Sequence, residues 1–262
     1  MNDQLKNLVL ERDGAVATVT INRPAVLNAL SLETLDELGR TMDALRLDEA
    51  IRVIVITGAG EKAFVAGADI NELARQNPTG GREHALLGQQ VFDRIEQLGK
   101  PVIAALNGYT LGGGCELAMA CALRIAADTA KLGQPEINLG LIPGYGGSQR
   151  LARLIGPGRA LELLLTGQQI TAQEAHRLGL VNRVVPAAEL KSEVRALAAL
   201  LATKPPIAMR YCIDAVNQGL QMSLAEGQRL EATLFGLVVS TDDMREGTRA
   251  FLEKRKAEFK GK

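Results

Sequence analysis

The sequence has few of the residues that carry metal, disulfide or redox chemistry. Its 262 residues include 3 Cys, 2 His and no Trp. The cysteines form no C-x-x-C pair, and an odd number in a chain of this size argues against a disulfide framework. His84 and His176 have no partner at metal-ligand spacing, so we expect both to be solvated on helix surfaces. We therefore expect no metal site, and a reducing cytoplasm fits best.

The sequence also has no excess of positive or negative charge and no long uninterrupted apolar run. The 30 Lys and Arg residues balance the 30 Asp and Glu residues, so no global field attracts nucleic acid or an anionic membrane. The most apolar region, residues 111–127, contains three consecutive glycines, Glu116 and Arg124, and is too broken to span a bilayer. Residues 1–14 resemble neither a signal nor a transit peptide. We expect a globular protein without a nucleic-acid or membrane partner.

Strand and helix patterns alternate in the first part of the chain. Apolar runs at residues 15–21, 53–57 and 101–106 predict buried strands. Leucines and Met42 at helical spacing after Ser31, a plausible N-cap, predict an amphipathic helix between the first two strands. A second helix is expected over residues 83–98. This alternation is typical of an α/β fold.

The remainder of the chain is mainly helical. Six helical patterns follow Pro157, interrupted by a short apolar run at residues 181–185. They occupy residues 161–165, 172–178, 190–201, 207–216, 224–237 and 244–256. We therefore divide the chain into a core over residues 1–195 and a C-terminal helical region over residues 196–262.

Two motifs that could indicate other chemistry are weak. Gly58-x-Gly60-x-x-Ala63 follows an apolar strand, but no helical face opens after it and no acidic residue stands at the expected offset, which argues against a dinucleotide site. Ser148 lacks the glycine two places further on that a nucleophile elbow requires. We interpret Ser148 as a helix N-cap.

Glu116 is the first candidate catalytic residue. It lies two residues after the triplet Gly112–Gly114, in the first turn of a short and otherwise apolar helix. A carboxylate there could simply complement the helix dipole. Three consecutive glycines, however, allow positive φ angles and close ligand approach, so N–H groups at the helix start could point at an oxyanion.

Glu136 is the second candidate. It follows Gln134-Pro135 at the end of a short predicted strand, next to the glycine-rich residues 140–147. Alone it could be an ordinary loop residue. If both glutamates reach one pocket, they can hold a water between them, and burial with mutual repulsion would separate their pKa values into a base and an acid.

Taken together, these motifs resemble those of the crotonase, or enoyl-CoA hydratase/isomerase, superfamily. The likeness runs from Val16 to about Phe259, and four segments agree in order and spacing. They are residues 22–30 (NRPAVLNAL), 63–70 (AFVAGADI), 107–118 (NGYTLGGGCELA) and 133–147 (GQPEINLGLIPGYGG).

The resemblance implies a spiral of ββα turns with a C-terminal helical region used for trimerisation, and trimers that pair into hexamers. It also implies that the N–H groups of Ala68 and Gly113 form an oxyanion hole. The expected substrate-binding residues are Ala66, Gly67, Asp69, Ile70, Asn71 and Gly112.

The implied reaction is reversible syn addition of water to a trans-2-enoyl-CoA thioester, as in fatty acid β-oxidation or butyrate-type metabolism. Glu116 would act as the base on water and Glu136 as the acid that protonates C2. CoA is part of the substrate, and no separate cofactor is expected. Enoyl-CoA isomerisation and cyclic dienoyl-CoA hydration stay open. A non-catalytic RNA-binding relative is a further alternative, which the neutral charge balance disfavours.

Overall fold

The computed structural model describes residues 5–262 and contains a six-stranded sheet in the order β1-β2-β3-β5-β7-β10. Only β1 and β2 pair antiparallel, and the other neighbours are parallel. The strands are β1 (Leu8–Asp13), β2 (Val16–Ile21), β3 (Val53–Gly58), β5 (Val102–Leu106), β7 (Leu123–Ala127) and β10 (Arg183–Val185).

A smaller sheet of four short strands has the order β4-β6-β8-β9, of which the first two pairings are parallel. Its strands are β4 (Ala63–Val65), β6 (Tyr109–Leu111), β8 (Lys131–Gly133) and β9 (Ile170–Thr171). Each of β4, β6 and β8 directly follows a strand of the larger sheet, and a helical segment comes next. The predicted spiral of ββα turns is thereby confirmed, because successive turns add one strand to each sheet.

Eleven α-helices complete the part of the chain that the structure describes. In the core they are α1 (Leu32–Leu47), α2 (Ile70–Leu73), α3 (Pro78–Glu96), α4 (Gly113–Ala120), α5 (Gly147–Ile155), α6 (Pro157–Thr166) and α7 (Ala172–Leu178). Towards the C-terminus they are α8 (Leu190–Ala202), α9 (Pro206–Gly219), α10 (Leu224–Val239) and α11 (Asp242–Leu252). None of these helices has the length and apolar character needed to cross a bilayer.

The core lies between the large sheet and the helices that cover it. Helix α1 begins after Ser31, whose side chain accepts a hydrogen bond from the Thr34 N–H, so the predicted N-cap is confirmed. Its buried stripe includes Leu35, Leu38 and Met42. Strand β3 is buried along almost its whole length, as expected of a parallel strand covered on both faces. This packing fixes the strand ends from which the site is built.

The C-terminal helices differ in how they are covered. Helix α8 packs on the large sheet, whereas α9 and α10 contain no buried residue in this chain. Large apolar side chains are exposed here, among them Leu224, Phe235 and Phe251. The predicted domain boundary at residues 195/196 falls inside α8, and it stays a prediction.

Several elements differ from the sequence-based expectation. Strands β4, β6 and β9 were not predicted, because two or three residues carry little periodicity, and β1 was not predicted because its second half is charged (Glu11, Arg12 and Asp13). Helix α3 begins at Pro78, five residues earlier than expected, with Asn77 as its N-cap. The interpretation of Ser148 as an N-cap is wrong: α5 begins at Gly147, and its N-cap is Gly146 with φ of 99°. The amide of Gly147 has a carboxylate partner instead.

Candidate active site

The two candidate glutamates lie at the ends of neighbouring parallel strands. Strand β6 leads into α4, which carries Glu116, and β8 leads into a 3₁₀ helix (Pro135–Leu139) that carries Glu136. The strands pair through Leu111 and Gly133, and the Gly112 N–H donates to the Gly133 carbonyl at 2.9 Å. The topology therefore brings both carboxyl groups to the same edge of the small sheet.

Glu116 is a buried carboxyl group with a fixed orientation. It is 1% exposed, and its Oε1 accepts hydrogen bonds from the N–H groups of Tyr145 at 2.8 Å and Gly147 at 2.6 Å. Burial and the nearby Glu136 raise the pKa of Glu116 to about 8, although the two N–H groups and Arg150 oppose the rise. One carboxylate oxygen is thus held by the backbone, which leaves the other for chemistry.

Glu136 is half-buried and has its own polar support. Burial raises the pKa of Glu136 to about 7. The side-chain amide of Gln134, oriented as a donor, reaches Glu136 Oε1 at 3.0 Å and Oε2 at 3.1 Å. Sequence reasoning did not select Gln134, although a polar residue at the end of a buried strand was the available signal.

Each glycine of the triplet meets a different neighbour. Gly112 has φ of 51°, and a Cβ there would lie 2.8 Å from Glu136 Oε1. A Cβ at Gly113 would lie 3.4 Å from the Ala68 amide nitrogen, and one at Gly114 would overlap the Val65 carbonyl. Close approach of α4 to β4 therefore requires glycine at position 114, and the approach to Glu136 requires it at position 112.

We expect replacement of Gly114 by alanine to destabilise the fold by at least about 2 kcal/mol, because the added methyl group must displace backbone of β4. Chemical denaturation measures this change. Gly158, in α6, is the matched control, since a Cβ there meets nothing within 4 Å. Gly158→Ala should change stability by less than about 0.5 kcal/mol. Equal stabilities of the two variants would contradict this packing argument.

Two backbone N–H groups lie next to the carboxyl pair without a protein partner. Across residues 5–262, neither the Ala68 N–H nor the Gly113 N–H donates a hydrogen bond. Ala68 is held by hydrogen bonds on either side, from Leu30 N to Gly67 O at 2.9 Å and from Asp69 N to Leu30 O at 2.8 Å. Gly113 is the first residue of α4, where the helix dipole favours negative charge. The pair can therefore bind an oxyanion.

The segment around Ala68 is held in place by Arg23, which belongs to the motif at residues 22–30. Arg23 Nη2 lies 3.0 Å from Asp69 Oδ2, and this contact holds the pKa of Asp69 below its usual value. Asp69 also caps α2 by accepting a hydrogen bond from the Asn71 N–H. Ile70 is 53% exposed. The predicted binding residues form one continuous stretch beside Gly112: Ala66, Gly67, Asp69, Ile70 and Asn71.

The expectation that His84 is solvated is wrong, whereas His176 is exposed as expected. His84 is 4% exposed, and its Nε2 forms a hydrogen bond with the hydroxyl group of Tyr145. Their rings stack with centroids 5.7 Å apart. Burial lowers the pKa of His84, which favours the neutral ring. Its polar neighbours in sequence gave no sign of a partner 61 residues away.

The remaining side chains that could bind a metal or react are the acidic residues, the histidines and the cysteines. Within the described residues, no three His, Cys, Asp or Glu side chains converge as a metal site would require. All three cysteines are free thiols. Burial raises the pKa of Cys115 and of Cys121 to about 12, so both thiols stay protonated at neutral pH.

A spiral of ββα turns with paired carboxyl groups beside two free N–H groups defines the crotonase-like class of proteins. A family model described as enoyl-CoA hydratase/isomerase matches residues 11–262, and the chain belongs to that family. The chain is 47% identical to the short-chain-enoyl-CoA hydratase of Clostridium acetobutylicum, over 97% of this chain and 98% of that protein. It is 49% identical to the crotonyl-CoA hydratase of Syntrophomonas wolfei, with the same coverage.

Solved structures agree with this assignment. The crystal structure of an enoyl-CoA hydratase from Bacillus anthracis superposes with a TM-score of 0.95 at 43% identity. That match covers 98% of this chain and 100% of the other. The predicted fold class and family are confirmed.

Proposed function

We propose that this protein is an enoyl-CoA hydratase that reversibly adds water, in the syn sense, to a trans-2-enoyl-CoA thioester. The observation that carries the proposal is the buried Glu116–Glu136 pair beside the free N–H groups of Ala68 and Gly113. The names of the relatives from C. acetobutylicum and S. wolfei support it.

Electrostatic stabilisation is the role of the two N–H groups. Conjugate addition to an enoyl thioester moves negative charge onto the thioester oxygen. Donors from Ala68 and Gly113 bind that oxygen most strongly where the charge develops, so they lower the barrier rather than merely hold the substrate. Each fixed donor of this kind is typically worth about 3 kcal/mol.

Proton transfer is the role of the two glutamates. Glu116 removes a proton from water as the oxygen bonds to C3, and Glu136 delivers a proton to C2. The two side chains titrate as a coupled pair, and the active form is the singly protonated one in which the proton lies on Glu136. Protonation of Glu136 removes the repulsion that raises the pKa of Glu116, which favours the ionised form of Glu116. Activity should therefore fall at low pH, where both are protonated, and at high pH, where both are ionised.

The CoA part of the substrate serves as carrier and handle. We assign its contacts near the acyl end to residues 66–71 and Gly112, which lie beside the proposed oxyanion hole. A cavity of about 380 Å³ is lined by Pro24, Leu27, Asn28 and residues 59–63, and the Leu27 carbonyl accepts a hydrogen bond from the Ala66 N–H at 3.0 Å. Binding energy from such remote contacts can orient the reacting carbons.

A substrate panel tests the proposal against other reactions of the family. Hydration should be measured with crotonyl-CoA and longer trans-2-enoyl thioesters, by the loss of conjugated-enoyl absorbance. A 3-enoyl-CoA and a cyclic dienoyl-CoA serve as the alternatives. The presence of two acids in the site favours hydration. By resemblance, isomerases of the family keep only the second acid, whereas hydratases have both. Turnover of the 3-enoyl substrate alone would replace hydration by isomerisation.

We also propose that the chain forms trimers, which can pair into hexamers, in a reducing cytoplasm. The exposed apolar side chains of α9, α10 and α11 provide a surface that a second copy can cover. Sedimentation equilibrium measures the assembly. The free thiols fit the proposed compartment.

Replacing Glu116 with glutamine should stabilise the protein at alkaline pH. The pKa of Glu116 is raised to about 8 in the folded chain, above its ordinary value of 4.5. The carboxyl group's contribution to stability is therefore complete below pH about 4.5 and is lost as pH rises through about 8. We expect the variant to melt several degrees higher at pH 9 and nearly equally at pH 5.

Glu174→Gln is the control for this measurement. Arg177 holds the pKa of the partly exposed Glu174 below its ordinary value, so any effect of that variant has the opposite sign. A melting difference for Glu116→Gln that does not grow with pH would contradict the proposed burial of charge.

A further inference from the structure

The loop that holds Glu116 is itself held by side chains outside the proposed acid pair. Residues 144–147 supply the two N–H groups that bind Glu116 Oε1. Gln89 of α3 donates a hydrogen bond to the Gly144 carbonyl at 2.8 Å. Arg150 of α5 donates to the Tyr145 carbonyl at 3.1 Å. Two helices thus hold carbonyl groups of this loop, whose N–H groups bind Glu116.

Of the two side chains that hold the loop, Arg150 is the one fixed by ion pairs. Its Nη2 forms ion pairs with Asp93 Oδ1 at 2.6 Å and Glu96 Oε2 at 2.7 Å, both on α3. Its side chain is only 12% exposed, which separates it from ordinary surface ion pairs of little energetic value. A Cβ at Gly146 would lie 2.6 Å from Arg150 Nη1, so the guanidinium group packs directly on the loop.

The hydrogen bond from Arg150 to the Tyr145 carbonyl affects Glu116 because of where that carbonyl lies. Along the chain, that carbonyl lies between the Tyr145 and Gly147 amides, both of which point at Glu116. That carbonyl belongs to the peptide unit between the two that carry the donors, so Arg150 restricts the rotation of both flanking units, while Gln89 holds the carbonyl of the unit that carries the Tyr145 N–H. Arg150 can therefore set the orientation of Glu116 without touching it.

We propose that Arg150 is a positioning residue, which holds the loop of residues 144–147 so that its two N–H groups orient Glu116 for reaction. The catalytic part of this inference rests on the proposed hydratase function. The structural part concerns the loop alone and can be tested without substrate.

The charge of Arg150 adds a pH signature. The titratable groups around Glu116 are Glu136, Arg150, Tyr145 and Cys115, and Arg150 is the cation among them. Loss of that cation removes an interaction that lowers the pKa of Glu116. Because Glu116 must be ionised to act as a base, the acidic limb of the kcat profile should move to higher pH in Arg150→Gln.

Arg150→Gln, Arg150→Lys and the control Arg153→Gln form the test set. Arg153 is on the same helix, and in the described structure its side chain donates hydrogen bonds only to Gln149. We expect Arg150→Gln to lower kcat for crotonyl-CoA about 10- to 100-fold, with KM within about twofold, since misplacing a catalytic group by about 1 Å has this cost. Arg150→Lys should recover part of kcat and the acidic limb, and Arg153→Gln should match the wild type.

Hydrogen exchange of the Tyr145 and Gly147 amides supplies the readout without substrate. Their exchange should be faster in Arg150→Gln than in Arg153→Gln. If Arg150→Gln does not fold, Glu96→Gln weakens the same anchor and should change exchange and kcat in the same direction. Unchanged exchange together with an unchanged acidic limb would overturn the proposal. A wild-type protein that does not hydrate enoyl thioesters would instead overturn the proposed function, while the exchange result would still decide the loop's role.

Discussion

Glu116→Gln is expected to lower kcat for hydration of crotonyl-CoA by about 10²- to 10⁴-fold, which is the range for loss of a positioned general base. The amide is nearly isosteric with the carboxylic acid, and its oxygen can still accept the hydrogen bonds from Tyr145 and Gly147. KM should therefore change little. Steady-state kinetics with crotonyl-CoA, read by the loss of enoyl absorbance, measures the effect.

Glu136→Gln should lose a similar factor in kcat, because it removes the proposed proton donor to C2. The double variant should be scarcely slower than either single variant, since residues that act in one transition state are not additive. Glu83→Gln, on an exposed position of α3, is the control and should retain wild-type kcat. Wild-type turnover in Glu116→Gln would show that the buried carboxyl pair does not perform the reaction.

Removal of the Gly113 N–H should have the second large effect. Gly113 is the first residue of α4, the helix position at which proline is best tolerated. Gly113→Pro removes the donor, and we expect kcat to fall by about 10²- to 10³-fold. Far-ultraviolet circular dichroism and melting temperature check that the helix survives.

Gly113→Ala separates the lost donor from the added volume. The alanine variant keeps the N–H but places a Cβ 3.1 Å from the Tyr145 ring, as the proline variant also must. It should therefore keep most of the activity that the proline variant loses. Equal losses in both variants would assign the effect to crowding against Tyr145 and would contradict a role for the Gly113 donor.

Much of the site could be predicted because its parts lie at strand ends. Glu116 follows the predicted strand at residues 101–106 and the glycine triplet, and Glu136 follows a second predicted strand; parallel strands present their carboxyl ends at one edge. The glycine triplet before Glu116 marked close backbone approach, and the structure supplies the neighbours of that approach in Val65, Ala68 and Glu136. Local signals were sufficient here since each residue's place depends on the strand just before it.

Other features could not be predicted from local pattern. His84 has polar sequence neighbours, yet α3 turns that side chain onto Tyr145 and buries it. Arg150 follows a glycine-rich loop, and nothing in that stretch indicates its ion pairs with Asp93 and Glu96 more than 50 residues earlier. These contacts depend on how the helices pack over the sheets.

The sequence by itself determined the alternation of the main strands and helices, the family likeness and the identity of the two candidate acids, because periodicity, glycine placement and motif spacing are properties of the linear chain. Only the tertiary structure decided which N–H groups bind Glu116, how Gln134 supports Glu136, and that Arg150 anchors the intervening loop. Glu116 and its donors lie about 30 residues apart, and Arg150 lies more than 50 residues from its acidic partners, so these interactions exist only after the ββα turns have stacked.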